Sequence, residues 1–312
     1  MADSTTTPLR IGVLLPTREQ AITDSFAADP LLDFARQAEQ LGFDSLWAGD
    51  SLTARPRLDP LVVLSAAGAV TSRVTLGTAA LTPALRHPLV GANMISSLDH
   101  VCGSRLVLGL GSGFPMPETE AEFASVGASF KGRVGRLDDI VGLWRTAWGS
   151  DRPGAPTDYD GKYWQAEGLD RLPRPHRPGG PPLWLAGSDT PRVLERVARD
   201  YDGWLPFLPS AEAYGVARAR IAELVEEAGR PADAVTPPST PPSPSTATRR
   251  PRRPSSSTTS STTTDGRWSR CRPSRPTAGA PPNTAPNGWP RTYGPAPGTW
   301  CCGSDRWTPS RS

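Results

Sequence analysis

Residues 98–114, LDHVCGSRLVLGLGSGF, combine a helix end, a short strand and a glycine-rich loop. The apolar run 106–108 is too short for a helix and is bounded by Gly103 and Gly109, which is typical of a strand buried on both faces of a parallel sheet. The loop 109–113 would then lie at the carboxyl end of this strand, where α/β folds bind their ligands.

The same strand–helix unit recurs along the first 235 residues. Asp29-Pro30, Asp59-Pro60 and His87-Pro88 each place a proline at the start of a helix, where its missing N–H costs nothing, and we expect Asp29 to cap the first of these helices. Short strands are predicted at 11–15, 43–47, 74–77, 106–108, 183–186 and 203–207, and amphipathic helices at 133–148 and 211–228. Successive units of this length predict a parallel sheet with right-handed crossovers, either closed into a barrel or open.

Composition excludes several classes of function. The amino terminus MADSTTTPLR lacks the apolar core of a signal peptide and no run approaches transmembrane length, so we expect a cytoplasmic protein without a membrane partner. Four cysteines, three of them beyond residue 270, provide neither a disulfide framework nor a zinc spacing. Residues 237–312 carry 11 basic and 2 acidic side chains, but without lysine or basic–aromatic alternation we expect no nucleic-acid partner.

The chain changes character at residue 237. From there to residue 312 it contains no Leu, Ile, Val, Phe, Met, Lys or Glu, a composition that predicts a disordered tail. A frameshift is the sharper hypothesis: reading the Trp300-Cys301-Cys302 codons from their last base gives Val, then Leu, as in a buried strand. We therefore predict a domain at 1–236 with six βα units and an open sheet edge, and an out-of-frame tail at 237–312.

Seven segments in unbroken order resemble the bacterial luciferase-like flavin-dependent oxidoreductases. They are GFDSLWAGD at 42–50, RHPLV at 86–90, 98–113, RLDD at 136–139, YDGK at 159–162, PLWLAGS at 182–188 and DGWLP at 202–206. Each motif is weak alone, but together they span residues 9–236. The resemblance implies an α/β fold, a TIM-like (β/α)8 barrel, here without its last two strands.

The resemblance also implies a chemistry. The cofactor would be reduced FMN or, alternatively, the deazaflavin coenzyme F420, bound at the carboxyl ends of the strands with a small organic substrate. FMN would serve monooxygenation and the deazaflavin hydride transfer, with the protein supplying position and electrostatics. Dimerisation through barrel helices is common in this family, so a homodimer is a further expectation.

Three loops carry the predicted cofactor-binding residues. Gly111 and Ser112 lie in the glycine-rich loop, which either forms a tight turn or leaves backbone bare for an isoalloxazine ring. The resemblance implies a strained bulge under that ring at Thr78 and Ala79, just after the third strand. The best candidate phosphate site is a helix start that offers backbone N–H groups and hydroxyls, at Gly187, Ser188, Asp189 and Thr190. The alternative is that these residues simply cap the helix. We expect Asp189 to cap the helix or face solvent, because its carboxylate would repel a phosphate.

Asp50 is the candidate catalytic residue and also a candidate cofactor contact, because it lies just past the second strand, although it could instead cap the following turn. The family often has His after this acid, and here Ser51 takes its place. Among the histidines, His87 and His100 are expected at a helix start and a helix end rather than in catalysis.

Two other functions compete with the redox enzyme. A cofactor-binding barrel without turnover is favoured by Ser51 and by the missing strands. A Rossmann-type NAD dehydrogenase is disfavoured, because Phe114 stands at the last glycine of the G-x-G-x-x-G fingerprint.

Overall fold

The structure, a computed structural model, describes residues 9–149, 154–207 and 210–235. The predicted boundary at residue 237 and the proposed out-of-frame tail lie outside these residues and stay predictions. In the described part of the chain no helix is long and apolar enough to cross a membrane.

Six parallel strands form one sheet in the order β1-β2-β3-β4-β7-β8. Their bounds are β1 Gly12–Leu14, β2 Ser45–Ala48, β3 Thr75–Leu81, β4 Leu106–Leu110, β7 Leu183–Gly187 and β8 Gly203–Pro206. A separate antiparallel hairpin joins β5, Tyr159–Asp160, to β6, Gln165–Ala166. The six predicted strands are thus confirmed, and β1 and β8 form the two open edges of the described sheet.

The contact between two indole rings shows that the sheet is curled. Trp47 in β2 and Trp184 in β7 lie on strands three positions apart, about 14 Å in a flat sheet, yet their ring centroids are 5.6 Å apart. Trp47 lies flat over Gly77, where a Cβ would come within 2.3 Å of the indole ring. The sheet is therefore a curled half-barrel around an inner cavity of about 460 Å³.

Eight helices connect and cover the described strands. They are α1 Thr17–Ile22, α2 Asp29–Gln40, α3 Pro60–Val70, α4 Pro88–Val101, α5 Pro117–Ser125, α6 Arg133–Trp148, α7 Pro191–Asp200 and α8 Ala211–Glu227. Their apolar faces bury one continuous core against the sheet, in which Trp144, Trp148 and Trp204 are among the largest buried side chains.

Helix starts confirm the proline pattern with one correction. The carboxylate of Asp59 accepts the backbone N–H of Leu61 at 2.8 Å and that of Val62 at 3.2 Å, so it caps α3 as a helix N-cap should. The prediction that Asp29 caps α2 is wrong, because Ala28 occupies the N-cap and Asp29 is already the first helical residue. At this position the negative charge of Asp29 is still stabilised by the positive end of the helix dipole.

At the amino ends of the strands, two charged side chains tie the elements together. Arg105 donates five hydrogen bonds that join the end of α3, the start of β3 and the end of α4; the acceptors are the carbonyls of Gly68, Thr71, Val74 and Cys102 and the Thr71 hydroxyl. The carboxylate of Glu39 accepts the backbone N–H groups of Ser72, Arg73 and Val74 at 2.7–3.0 Å. This end of the half-barrel is therefore held together by half-buried and exposed polar contacts.

Candidate functional site

The carboxyl ends of all six sheet strands lie along one edge of the half-barrel, because the strands are parallel. Asp50 follows β2, Gly111 and Ser112 follow β4, and the 187–190 loop follows β7. The structure thus brings the predicted site residues to one mouth, which is where α/β barrels carry out their chemistry.

Asp50 is buried in an ion pair with Arg86. Its side chain is 1% exposed, and its two oxygens lie 2.7 and 3.0 Å from two guanidinium nitrogens of Arg86. The backbone N–H of Thr82 donates to the same carboxylate at 2.9 Å, and Arg86 also reaches Asp59 at 2.5 Å. Burial alone would lower the pKa of Arg86, but its hydrogen bonds to Asp50 and Asp59 outweigh burial and raise it. The network locks the loop after β2 to the loop after β3.

Ser51 is held by a buried carboxylate from α5. One oxygen of Glu122 accepts the Ser51 hydroxyl at 2.8 Å and three successive N–H groups, those of Leu52, Thr53 and Ala54, at 2.5, 2.9 and 3.2 Å. The Ser51 oxygen in turn accepts the N–H of Arg55 at 2.9 Å. Burial raises the pKa of Glu122, but these hydrogen bonds lower it more. Ser51 therefore fixes the loop and has both its donor and an acceptor site engaged.

Thr78 and Ala79 lie within β3 and not after it, because β3 continues to Leu81 instead of ending at residue 77. The register between β3 and β4 shifts between Thr78 and Leu81, so an irregularity stands where the family resemblance places one. The peptide bond between Ala79 and Ala80 is cis. Thr78 is fully buried and its hydroxyl donates to the Gly109 carbonyl at 2.8 Å, so its side chain points away from the mouth.

The glycine-rich loop packs closely against this irregular segment. A Cβ on Gly109 would lie 2.3 Å from the Thr78 carbonyl oxygen, so only glycine fits there. Gly111 donates its N–H to the Leu81 carbonyl at 2.8 Å, and a Cβ at this position would meet the Ala80 methyl at an ordinary 3.5 Å. Half-exposed Ala79, Ala80, Gly111 and Ser112 thus present small side chains and backbone to the mouth, an area that we call the platform.

The predicted phosphate loop stands at the start of α7. Thr190 occupies the N-cap but makes no side-chain capping hydrogen bond, and its hydroxyl lies 3.4 Å from that of Ser188. Both hydroxyls are exposed, and Gly187 is half-buried below them. Asp189 is exposed and lines the groove between α7 and α8, in keeping with the expectation that it faces solvent. Because Thr190 makes no capping hydrogen bond, the alternative that this loop only caps the helix lacks the contact it would require.

Three side chains at the mouth were not predicted from the sequence. Phe114 and Phe207 follow β4 and β8, and their rings meet edge to face with centroids 5.1 Å apart although both side chains are about half exposed. Arg57, in the loop after β2, lies against Gly49. Phe207 ends the predicted strand 203–207, and Phe114 and Arg57 lie in the connections after predicted strands, but nothing in the sequence distinguishes them from other residues in such positions.

The histidines lie where the sequence placed them. His87 is the N-cap of α4 and packs edge-on against Trp164. His100, in the last turn of α4, contacts His176 at 3.2 Å through ring nitrogens. Among the described residues no group of three or more His, Cys, Asp or Glu side chains could hold a metal ion.

Parallel strands curled into a half-barrel, with small residues and hydroxyl-bearing loops at their carboxyl ends, define a TIM-barrel class of ligand-binding proteins. The sequence model of the luciferase-like monooxygenases matches residues 9–249. The chain belongs to this family.

Known proteins agree with this assignment. The chain is 33% identical over 214 residues to an F420-dependent glucose-6-phosphate dehydrogenase from Kineococcus radiotolerans, a match that covers 66% of this chain and 58% of that enzyme. The chain thus spans little more than half the length of this curated relative.

Two solved structures share the fold. One is the coenzyme F420 dependent tetrahydromethanopterin reductase from Methanopyrus kandleri, with a TM-score of 0.56, 22% identity and coverage of 74% of this chain and 65% of that one. The other is the oxygenating constituent of 3,6-diketocamphane monooxygenase from Pseudomonas putida in complex with FMN, with a TM-score of 0.58, 19% identity and coverage of 72% and 64%.

Proposed function

We propose that this chain is a redox enzyme that acts on a small organic substrate with a deazaflavin coenzyme bound at the mouth of the half-barrel. The curated relatives, which are F420-dependent dehydrogenases 30–34% identical to it, support the deazaflavin over reduced FMN. The FMN-bound structural neighbour supports FMN as the alternative.

The platform is the observation that carries this proposal. A tricyclic ring needs a flat surface without protruding side chains, and Ala79, Ala80 and Gly111 expose only methyl groups and backbone there. The nearby carboxylate of Asp50 is turned into its ion pair with Arg86 and so does not face the ring with a free charge. The residues present therefore fit the ring of either cofactor.

The 187–190 loop would hold the cofactor's phosphate. The Ser188 and Thr190 hydroxyls and the amino end of α7 favour an anion, and exposed Asp189 lies on the groove side. When bound, the deazaflavin would exchange a hydride with the substrate, and reduced FMN would supply electrons to dioxygen. This chain's residues would orient the ring on the platform and keep the loops around it fixed through Asp50, Arg86 and Glu122.

Fluorescence titration of the purified full chain with the deazaflavin and with FMN tests the proposal. We expect saturable binding of the deazaflavin, lost in Gly111→Leu because the new side chain would cover the platform. Gly215→Leu is the matched control, since Gly215 lies on exposed α8 with nothing within 4 Å of its Cβ position. Binding that survives Gly111→Leu, or is absent from the wild-type chain, would contradict the proposal.

A cofactor-binding barrel without turnover is the second candidate. It is favoured by the complete engagement of the two polar residues after β2: Asp50 is paired with Arg86, and Ser51 is bonded to Glu122 and Arg55. Cofactor binding without reduction of the oxidised deazaflavin by any tested alcohol or sugar phosphate, and without oxidation of the reduced cofactor by any tested aldehyde, would support this candidate. The cytoplasmic location and the homodimer stay predictions, to be checked by cell fractionation and by light scattering.

A further inference from the structure

Arg57 stands at the mouth with its charge poorly compensated. One terminal guanidinium nitrogen of Arg57 lies only 2.3 Å from where a Cβ would stand on Gly49, and the carbonyl oxygen of Ala79 lies 3.6 Å from the same point. The guanidinium is thus directly beside the platform. Its Nε donates to the Arg55 carbonyl at 3.2 Å, and in the described ranges no carboxylate hydrogen-bonds to it.

The charges around Arg57 are mostly positive or already engaged. Half-burial is the largest influence and lowers the pKa of Arg57; Asp50 raises it, and the neighbouring cations Arg18 and Arg55 lower it again. Asp50 is the stronger of the two anionic influences on Arg57, but Arg86 already holds both its oxygens and it makes no hydrogen bond to Arg57. Glu19 is the remaining anion that acts on Arg57, with the weakest effect of the five influences.

Arg55 has a similarly weak partner. Its guanidinium reaches the Met116 sulfur at 4.0 Å, a poor acceptor, and the nearby carboxylate of Glu122 is already occupied by the backbone of the 51–54 loop. Half-buried Arg57 has no hydrogen-bonded carboxylate among the described residues, and exposed Arg18 and Arg55 add positive charge near it, so this part of the mouth favours an anion with two or three oxygens, such as a carboxylate or a phosphate.

We propose that Arg57, with Arg55 and Arg18 around it, binds an anionic group, a carboxylate or phosphate, carried by the small molecule that reacts at the platform. This assignment of the substrate class rests on the proposed function, because the anion would then be held next to the reacting ring. The anion site itself stands on the arginines alone and can be measured without any cofactor.

The direct test is titration of the full chain with inorganic phosphate, followed by isothermal calorimetry or by the shift in melting temperature. We expect binding that weakens as salt is raised, and that falls at least tenfold in Arg57→Gln and several-fold in Arg55→Gln. Arg36→Gln is the matched control, because it removes the same charge from an exposed position on α2 and should leave the affinity unchanged. Trimethyl phosphate, which is neutral, should not bind.

Three outcomes would overturn the proposal. Phosphate affinity equal in Arg57→Gln and the wild type would remove the role of Arg57. Loss of binding in a Ser188→Ala, Thr190→Ala double variant, but not in Arg57→Gln, would assign the phosphate to the α7 loop. If the Arg57→Gln chain does not fold, Arg57→Lys, which keeps the charge, takes its place. We expect Arg57→Lys to bind phosphate more weakly than the wild type. Unchanged phosphate affinity together with unchanged salt dependence in Arg57→Lys would contradict a guanidinium site.

The source of the anion is decided by adding the deazaflavin. If phosphate binds equally well to the chain saturated with coenzyme, the anion site is available to the substrate, as proposed. Phosphate that competes with the coenzyme even in the Ser188→Ala, Thr190→Ala double variant means that Arg57 holds the cofactor's own phosphate, which contradicts the substrate assignment. If the coenzyme fails to bind while phosphate binding still depends on Arg57, the proposed function fails and the anion site remains.

Discussion

The carboxylate of Asp50 and the guanidinium of Arg86 form a two-point ion pair below the mouth of the half-barrel, with nitrogen–oxygen distances of 2.7 and 3.0 Å. The two residues come from the loops after β2 and β3, and both side chains are almost excluded from solvent. The pair therefore fixes the relative position of the two loops that flank the platform.

Asp50→Asn should destabilise the chain strongly. Removing one charge of a buried pair leaves its partner uncompensated, which typically costs about 3–5 kcal/mol, and we expect the lower end of this range because Arg86 keeps Asp59. Urea unfolding measures the effect. Asp59→Asn is the control: its side chain is 30% exposed and the amide oxygen can still cap α3, so we expect a loss of about 1 kcal/mol or less. Equal losses in both variants would contradict the special role of Asp50.

Gly109→Ala should be far more harmful than Gly111→Ala. The new methyl group at Gly109 would lie 2.3 Å from the Thr78 carbonyl oxygen and 2.8 Å from Leu205, so strand β3 must shift, at a cost of about 1–3 kcal/mol or more. At Gly111 the methyl group would meet Ala80 at 3.5 Å, a normal contact. Melting temperatures of the two variants, two residues apart, test this difference directly.

Glu39 should make stability depend on pH in the acid range. Partial burial raises its pKa, but the N–H groups of Val74, Arg73 and Ser72 lower it from 4.5 to about 2. Because the folded-state value is the lower one, the unfolded chain takes up the proton first as pH falls. The stabilisation is therefore complete above about pH 4.5 and is lost as pH falls towards about 2.

The measurement is the difference in unfolding free energy between wild type and Glu39→Gln, followed from pH 7 down to pH 2.5. We expect the difference to shrink below pH 4.5. Exposed Glu195→Gln on α7 should show a small difference throughout. A difference for Glu39 that is independent of pH would mean that its charge does not strengthen the contacts with the 72–74 loop.

The open edge of the sheet at β1 should promote aggregation. Leu14 lies on the same face as Trp47, opposite it in register, and is 59% exposed because no strand pairs with β1 on that side within the described sheet. Leu14→Lys should reduce light scattering of the concentrated chain, since charged residues protect free strand edges. Val62→Lys, at a 62% exposed position on α3, should change little. Equal reductions in light scattering by the two variants would mean that aggregation depends on the apolarity of the whole surface and not on the free edge of β1.

The abrupt change in composition at residue 237 predicts an extra or missing base near codon 236. Resequencing the coding DNA from about codon 225 to 50 codons past the stop checks this. A shifted base that restores Val-Leu near codon 301 would make the tail an out-of-frame segment. If the sequence stands as written, the frameshift survives only as an older mutation, and the barrel without turnover is favoured.

The periodicity of the chain was enough to predict six parallel strands and most helix starts, because buried apolar runs and Asp-Pro or His-Pro pairs are local signals. It missed α1 and α5, whose apolar stripes are short, and it ended β3 before its irregular segment, since an alanine pair after Thr78 carries no strand signal. The predicted end of β3 was too early because pairing with the neighbouring strand β4, and not the local sequence, decides the conformation there.

For the candidate site, sequence placed residues at the mouth but did not reveal their partners. Nothing local connects Asp50 to Arg86 or Ser51 to Glu122, which is 71 residues further along the chain. The same limit hid Arg57, whose proximity to Arg18 depends on how the loop after β2 lies relative to α1. Contacts between loops thus decide which polar groups at the mouth are free, and these contacts exist only in the folded chain.

The contacts of Arg105 have a consequence for how this protein can change over evolutionary time. Five hydrogen bonds from one guanidinium hold the far end of the half-barrel and involve no residue of the mouth. Loops at the opposite end can then gain or lose side chains while the foundation stays intact. Substitutions of mouth residues outside the Asp50–Arg86 pair and the close contacts of Gly109 should therefore alter substrate preference with little effect on folding, which allows the two properties to be selected largely independently.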